Sequence, residues 1–233
     1  MKNIFIFFLI SNSIVYSQGQ FCGSIEYTVE SIVAKDSIKN KIKSNNKNNK
    51  IYQSFLTSKA NFELNLNSKE SIYKIKRNTN KLKSDSDKTI KLNFLESFGG
   101  GNGKFYNNIS TNEILVQKML FSDLLLVSYK PIKWKLLNES KTIGKYRCFK
   151  AISDNDIIVW YTPEIPLRYG PNLYHGPPGL VLEVYISKIR IVATKINYKN
   201  EKNCFIQKPK KGILVTEDKY KKMLSEFADE NGF

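Results

Sequence analysis

The sequence contains a single histidine, His175, among 233 residues. A catalytic triad or a Cys–His site uses an imidazole as its base, so any such site in this chain has to use His175. A zinc site needs several histidine or cysteine ligands at regular spacing, and one histidine with three scattered cysteines does not provide them. The residues therefore predict no metal site and no bound cofactor.

Arginine is also scarce. Only four of the 37 basic residues are arginine, although the formal net charge is +16. Proteins that read base edges rely on arginine, and the lysines here are spread along the chain rather than concentrated in one helix. An A+T-rich genome favours Lys, Asn and Ile and is a sufficient explanation of the composition. We expect no specific nucleic-acid partner, whereas contact with an anionic envelope polymer stays open.

Long apolar runs are absent apart from one at the N-terminus. Ile4 to Ile10 follows the basic Lys2, and Val15-Tyr16-Ser17 resembles a cleavage site. The run is far shorter than the ~20 residues of a membrane-spanning helix. Residues 1–17 are therefore interpreted as a signal peptide, with a buried N-terminal strand as the alternative. Residues 18–233 are predicted to form one exported domain, periplasmic or secreted, that does not span the membrane.

Three cysteines, Cys22, Cys148 and Cys204, remain after the predicted cleavage. An exported protein can form disulfides, and three cysteines allow three pairs and leave one thiol over. Cys148 and Cys204 both lie in strand-like segments of the C-terminal half. We therefore expect Cys148 and Cys204 to form the disulfide.

Alternating apolar and polar residues recur along the chain and indicate half-buried strands. Ile25, Tyr27 and Val29 alternate with polar residues in the first such segment. Residues 61–67 and 71–76 alternate on either side of a short turn, which is typical of a β-hairpin. No alternation of strands with helices, as in a parallel sheet, is evident.

The C-terminal third continues this pattern and ends in a helix. Residues 180–186 and 189–198 form a second hairpin pattern, and Thr216 is a plausible helix N-cap with acidic residues after it. Apolar residues follow at helical spacing: Tyr220, Met223, Leu224 and Phe227. The predicted fold is mainly β, a single curved antiparallel sheet or open barrel with a C-terminal helix.

Five of the seven prolines fall between positions 163 and 178, which excludes a helix there. Long ordered loops on a rigid scaffold often carry function. Aromatic residues and the histidine surround the prolines, and they are the candidate binding residues: Trp160, Tyr161, Tyr169, Tyr174 and His175. The alternative is that these side chains pack the loop onto the sheet. Glu183, on the strand after the loop, is interpreted as facing solvent.

The same region carries a family resemblance. Gly176-Pro177-Pro178-Gly179-Leu180-Val181 resembles the naming motif of the GLPGLI family of exported bacterial proteins, with Pro177 in place of Leu and Val181 in place of Ile. The motif positions are Pro163, Glu164, Pro166, Gly170, Pro171, Gly176, Pro178, Gly179 and Leu180. The resemblance covers nearly the whole predicted mature chain. It implies export in a two-membrane bacterium and an unknown molecular function.

Three functional hypotheses follow. The first is a non-catalytic envelope protein that binds a partner or an apolar ligand through the proline-rich loop, because no catalytic residue types cluster in the sequence. The alternative is an envelope hydrolase that uses His175 or Glu164. A third option is a basic protein that adheres to anionic envelope polymer. The sequence leaves the ligand and the oligomeric state open.

Overall fold

The computed structural model describes residues 22–33, 59–77, 94–198 and 204–231. The predicted signal peptide, residues 1–17, lies outside the described residues, so its prediction stays untested. The domain boundary at residue 18 also stays a prediction.

Strands make up most of the described chain, and two helices accompany them. The elements in chain order are β1 (Gly23–Ser31), β2 (Ala60–Leu66), β3 (Glu70–Ile75), α1 (Phe94–Gly99), β4 (Lys104–Asn108), β5 (Glu113–Leu120), β6 (Asp123–Ser128), β7 (Trp134–Ile143), β8 (Tyr146–Ser153), β9 (Ile158–Thr162), β10 (Leu180–Ile186), β11 (Ile189–Tyr198), β12 (Ile213–Thr216) and α2 (Glu217–Asn231). Both predicted hairpins, now β2–β3 and β10–β11, are confirmed.

All twelve strands belong to one open sheet, in the order β12-β6-β5-β4-β3-β2-β1-β11-β10-β9-β8-β7. Neighbouring strands are antiparallel except β12, which pairs in parallel with β6. The mainly β fold with one C-terminal helix is confirmed, and the sheet is open rather than closed into a barrel.

The central strand β1 shows why the sheet has two different faces. Ile25, Tyr27 and Val29 alternate along β1 and are fully buried in the main hydrophobic core. The register continues the pattern sideways, since Tyr27 lies opposite Phe62 of β2 and Ala193 of β11. We call this side of the sheet the core face. The opposite side, which carries the polar side chains of β1 such as Glu26 and Glu30, is the outer face.

Helix α1 covers part of the core face, and the sequence analysis did not predict it. Its Leu95 is fully buried in the main core. The helix ends at Gly99, where a Cβ atom would lie 2.1 Å from the ring of Phe62. Only glycine allows the helix to approach β2 this closely.

Helix α2 confirms the predicted C-terminal helix. The backbone N–H of Lys219 donates to the Thr216 hydroxyl at 3.3 Å, which is the expected N-cap. Tyr220 and Met223 pack on a small cluster that contains Leu125 and Val127 of β6. Within the described ranges, neither helix is long and apolar enough to cross a membrane.

The proline-rich connection between β9 and β10, residues 163–179, is packed against the core face. Ile165 and Tyr169 are buried in the main core. Their carbonyl groups accept hydrogen bonds from the backbone of β10, at 3.0 Å from Leu180 and 2.9 Å from Val181. The buried hydroxyl of Tyr27 donates to the Val181 carbonyl at 2.6 Å. The connection is therefore fixed to the sheet by its backbone as well as by its side chains.

The cysteine pairing differs from the prediction. Cys22, just before β1, forms a disulfide with Cys204, and their Cα atoms are 5.8 Å apart. Cys148 is buried and free in β8. Strand order gives the reason: β8 lies four strands from β1, whereas residue 204 returns beside the start of β1. The predicted Cys148–Cys204 pair is therefore wrong.

We predict that Cys204→Ser lowers the free energy of unfolding by about 2–5 kcal/mol, because the disulfide closes a loop between positions 182 residues apart. Denaturant titration of both proteins measures the difference. Mass spectrometry of the unreduced wild type should find Cys22 linked to Cys204, and Cys148→Ala should keep that link. A peptide joining Cys148 to Cys204 would contradict the structure.

A second prediction concerns Gly170. A Cβ atom there would lie 2.0 Å from the carbonyl oxygen of Tyr174, so Gly170→Ala should destabilise the protein by about 3 kcal/mol or more. Gly101→Ala is the control, because it meets nothing within 4 Å and bears only the strain of its φ of +60°. Thermal denaturation of both variants tests this, and a smaller loss for Gly170→Ala than for Gly101→Ala would contradict it.

Candidate functional site

The proline-rich connection is held from both sides along its length. The indole N–H of Trp134 donates to the carbonyl of His175 at 2.8 Å. The Arg168 side chain donates to the carbonyl of Gly176 at 2.9 Å, and the Gly176 N–H donates back to the Arg168 carbonyl at 3.2 Å. Gly179 passes so close to β9 that a Cβ would lie 2.1 Å from the Thr162 carbonyl oxygen. Backbone geometry thus accounts for much of this glycine- and proline-rich sequence.

The five residues predicted to bind a ligand do not form one surface. Tyr161 and Tyr169 are buried in the core, and Tyr174 packs half-buried against it. Trp160 alternates with core-facing Tyr161 and pairs with Glu183, so it lies on the outer face. His175 is only 8% exposed. The role of these five residues in ligand binding stays a prediction.

His175 lies in a confined place. It lines a cavity of about 10 Å³ together with Tyr73 and Asn107. That volume holds about one water molecule and excludes a substrate. Burial, with a smaller contribution from the nearby Arg168 charge, lowers the pKa of His175 to about 4. The imidazole is therefore neutral at pH 7 and shielded from solvent.

Glu164 makes structural hydrogen bonds. Its carboxylate accepts the backbone N–H of Arg147 at 2.8 Å, which connects the proline-rich connection to β8. Its own N–H donates to the Thr162 hydroxyl at 3.3 Å. These bonds orient the turn after β9.

Glu183 is 3% exposed, so its interpretation as a solvent-facing residue is wrong. Its carboxylate is bound by Lys141 of β7 and by Arg190 of β11, the latter at 3.2 Å. The Lys141 ammonium also lies 4.4 Å from the ring centroid of Trp160. Each carboxylate oxygen is paired with a cation and the side chain is buried, so this cluster stabilises the outer face rather than offering an acid–base pair.

The same network continues to β1. The guanidinium of Arg190 donates to Glu30 at 2.9 Å, and Lys59 reaches the same carboxylate at 3.2 Å. Burial raises the pKa of Glu30, but the hydrogen bonds from Arg190 and Lys59 outweigh it and hold that pKa below its usual value. Sequence reasoning missed the network because its partners are up to 160 residues apart.

A groove of about 950 Å³ opens on the outer face at the other half of the sheet. Its floor comes from β2 to β5, and its wall is residues 204–211, which we call the 204–211 segment. This volume lies in the range of small-ligand sites, which is about 300–1,000 Å³. In size and openness it contrasts with the cavity beside His175.

The 204–211 segment is fixed at several points. The Asn67 side chain donates to the Cys204 carbonyl at 3.0 Å, and the Gln117 side chain donates to the Lys211 carbonyl at 2.8 Å. Between them Ile206 is buried against Tyr106, with Leu115 and Leu126 in the same cluster. The wall of the groove is therefore ordered along its length.

Lysines dominate the polar lining of the groove. The lining lysines are Lys74, Lys104, Lys208, Lys210 and Lys211. The lining also contains Glu70, whose carboxylate accepts a hydrogen bond from the hydroxyl of Tyr106. Burial, and then this hydrogen bond, raises the pKa of Tyr106 to about 12. The groove thus presents an excess of positive charge.

Sequence reasoning did not find the groove. Its residues come from four separate stretches, 22–23, 65–74, 104–117 and 204–211, that only the strand order brings together. The lysines of 204–211 resembled the general lysine enrichment of the chain. Within the ranges that the structure describes, no three His, Cys, Asp or Glu side chains are grouped as they would be to hold a metal ion.

A protein-family model described as the N-terminal domain of an N-glycanase peptide matches residues 107–222. The match runs from the last strand residues of β4 through β12 into α2, just under half of the chain. The chain is similar to an N-glycanase N-terminal domain.

Two crystal structures of PNGF-II share the fold. The C2 crystal form has a TM-score of 0.54 at 17% identity and covers 88% of this chain and 33% of its own. The P21 form has a TM-score of 0.51 at 19% identity and covers 87% and 33%. This chain therefore spans about a third of the length of the solved chains that it matches. A comparison with curated proteins finds no match.

These findings correct two predictions. The resemblance to the GLPGLI family is wrong, since the matching family model and the similar structures are both of the N-glycanase kind. The physical reason is that the proline and glycine motif is short and its glycines are required by the backbone: close backbone contacts at Gly170 and Gly179, and a positive φ at Gly176. The hypothesis of a non-catalytic protein of unknown function is also wrong, and the hydrolase alternative is closer to the comparisons.

We predict that His175 titrates with a pKa of about 4, against 6.5 for an exposed imidazole. As the pH falls below 6.5, the imidazole takes up a proton in the unfolded chain before it does so in the folded protein. The free energy of unfolding therefore decreases as the pH falls from 6.5 towards 4. Nuclear magnetic resonance of histidine-labelled protein measures the pKa directly, because the chain has one histidine. The protein unfolded in urea is the control. A native pKa near 6.5 would show that the imidazole is solvated.

Proposed function

We propose that this protein acts in N-glycan processing and that its sheet domain engages the glycosylated substrate of an N-glycanase-type hydrolase. The family match over residues 107–222 is the observation that carries the proposal. The matched region supplies Gln117 of the groove floor and the whole 204–211 segment. The part of the chain that is similar to an N-glycanase domain is thus also a part that builds the open groove.

The second support is the relation of this chain to its structural neighbours. Nearly all of this chain corresponds to about a third of PNGF-II. This ratio of lengths is expected if the chain corresponds to one separate domain of a larger enzyme. A domain of this kind contributes substrate binding, and binding energy from parts of the substrate remote from the reacting bond contributes to catalysis.

Hydrolysis is also the reaction class of the alternative hypothesis. The structure does not support the catalytic residues of that hypothesis, His175 or Glu164. An N-glycanase hydrolyses the amide bond between a glycan and an asparagine side chain. His175 is buried beside a cavity the size of one water molecule, and the Glu164 carboxylate holds the Arg147 backbone. We therefore assign neither residue a role in bond cleavage.

Export belongs to the same proposal. The Cys22–Cys204 disulfide favours an oxidising compartment, and residues 1–17 carry the pattern of a signal peptide. N-linked glycans are found on secreted and surface proteins, so an exported protein meets such substrates outside the cytoplasm. Periplasmic or secreted location is thus the location that the proposed substrate requires.

The test is a binding comparison between an N-glycopeptide and the same peptide without its glycan. We expect the protein to bind the glycopeptide at least about tenfold more tightly in isothermal titration calorimetry, because the glycan fills a groove that the bare peptide does not. The Gly144→Ala variant serves as a control, since Gly144 is an exposed residue of the β7–β8 turn, several strands away from the groove floor of β2 to β5.

Equal binding of the two peptides would overturn the proposal. Selective binding of the glycopeptide that disappears in Gln117→Ala would support it, because Gln117 lies at the groove floor and fixes the end of the 204–211 segment.

A further inference from the structure

We infer that the groove between the 204–211 segment and the outer face binds the negatively charged part of an acidic glycan, a sugar chain that carries carboxylate, sulfate or phosphate groups. The glycan part of this inference rests on the proposed function, whereas the preference for negative charge rests on the groove itself.

The charge of the groove is the first support. Five of the lysines that the structure describes line it, and Lys208 is held by Glu113 at 2.7 Å. Among the residues that the structure describes, no carboxylate lies within ion-pair distance of the other four: Lys74, Lys104, Lys210 and Lys211. Glu70, in the same lining, is engaged by Tyr106. Several like charges gathered in a concave site attract and concentrate an anion.

The second support is the contrast with the rest of the outer face. Near β10 and β11, cations and carboxylates are matched, as with Lys141 and Arg190 on Glu183. Lys76, next to the groove, is matched by Glu26 at 2.6 Å. Lysines without a carboxylate within ion-pair distance also occur elsewhere among the described residues, as at Lys135, Lys188 and Lys195. What distinguishes the groove is that four such lysines line one concave site.

The groove also offers the groups that a sugar needs. Its lining contains the side-chain amides of Asn65, Gln117 and Gln207, which can both donate to and accept from hydroxyl groups. Phe205 lies on the groove wall with 87% of its surface exposed. An exposed aromatic ring provides an apolar plane against which the C–H face of a sugar ring can pack.

Rigidity is the fourth support. The disulfide at Cys204, the buried Ile206 and the Gln117 bond to Lys211 hold the lysine-bearing segment in place. A site whose wall is already ordered loses less conformational entropy when a ligand binds. The backbone positions of Lys208 and Lys210 relative to the floor are therefore set before binding.

Nucleic acid is the competing polyanion, and the groove fits it less well. The groove is bounded at about 950 Å³, which accommodates a few sugar residues rather than a length of duplex. All four arginines of the chain lie within the described ranges and none of them lines the groove, although arginine is the usual residue for reading base edges. Single-stranded nucleic acid remains an outcome that the experiment must distinguish.

The experiment compares three ligands on the full protein by calorimetry at low salt: a sialylated N-glycopeptide, the same glycopeptide with its acidic sugars removed, and the bare peptide. We expect the acidic glycopeptide to bind about tenfold more tightly than the neutral one, and the difference to shrink as salt is added. The double variant Lys104→Gln/Lys210→Gln should lose that difference and keep the affinity for the neutral glycopeptide.

Two control variants make the result specific. Lys135→Gln/Lys188→Gln removes the same charge from exposed positions outside the groove and should leave all three affinities unchanged. Lys104→Arg/Lys210→Arg keeps the charge and should retain the preference for the acidic glycopeptide. Thermal denaturation checks that each variant is folded, which we expect because Lys104 and Lys210 are exposed.

The outcomes separate this inference from the proposed function. If the acidic and neutral glycopeptides bind equally, and both more tightly than the bare peptide, the inference is wrong and the proposed function stands. If neither glycopeptide exceeds the bare peptide, the proposed function is wrong and the inference falls with it. A single-stranded oligonucleotide is the competing ligand. If it displaces the acidic glycopeptide at equal concentration, and if the Lys104→Gln/Lys210→Gln variant binds that oligonucleotide more weakly, the inference is overturned in favour of nucleic acid.

Discussion

The hydrogen bonds between the proline-rich connection and the start of β10 are the constraint on which the described architecture depends. Ile165 and Tyr169 place their carbonyls against the N–H groups of Leu180 and Val181. Their side chains enter the core beside Tyr27, whose hydroxyl is itself bonded to Val181. A sheet this wide has a large apolar face that water would otherwise reach, and this connection together with α1 covers it. The clustered prolines reduce the conformational entropy that the unfolded chain loses when the cover forms.

Covering one face leaves the other face free for chemistry. On the outer face, one half is neutralised by the network around Glu183 and Arg190, and the other half is crossed by the 204–211 segment. The groove exists because Ile206 of the 204–211 segment packs on Tyr106 of the sheet in a second, small cluster. This contact holds the segment against the outer face and leaves the space beside it open. The main core thus lies on one face of the sheet and the groove on the other. A substitution in the groove therefore changes binding with little effect on the main core.

Local patterns in the sequence predicted most of the fold. The alternation of Ile25, Tyr27 and Val29 gave the correct inward face, and Thr216 marked the start of α2. Short-range chemistry determines such features. Strand order, however, depends on contacts between distant residues, and without it the sequence could not place Cys204 beside Cys22 or Arg190 beside Glu30.

The candidate site was predicted less well, for a related reason. Aromatic rings beside prolines, such as Tyr169 and Trp160, suggested a recognition surface, but an aromatic that binds and an aromatic that packs have the same local sequence. The charged groove gave no local signal, since Lys104 and Lys210 are separated by more than a hundred residues in a lysine-rich chain. Only the fold distinguishes a lysine in a concave site from a lysine that serves solubility.

An open sheet of twelve strands has two terminal strands with unsatisfied backbone groups, and such edges invite a second molecule to add a strand. At one end β12 has four residues and passes directly into α2. At the other end β7 is interrupted by an irregularity between Leu136 and Ser140 and carries charged Lys135 and Glu139. A short terminus and an irregular, charged one give an incoming chain little continuous backbone to pair with. The protein can therefore keep a wide sheet without closing it into a ring and still resist fibrous self-association.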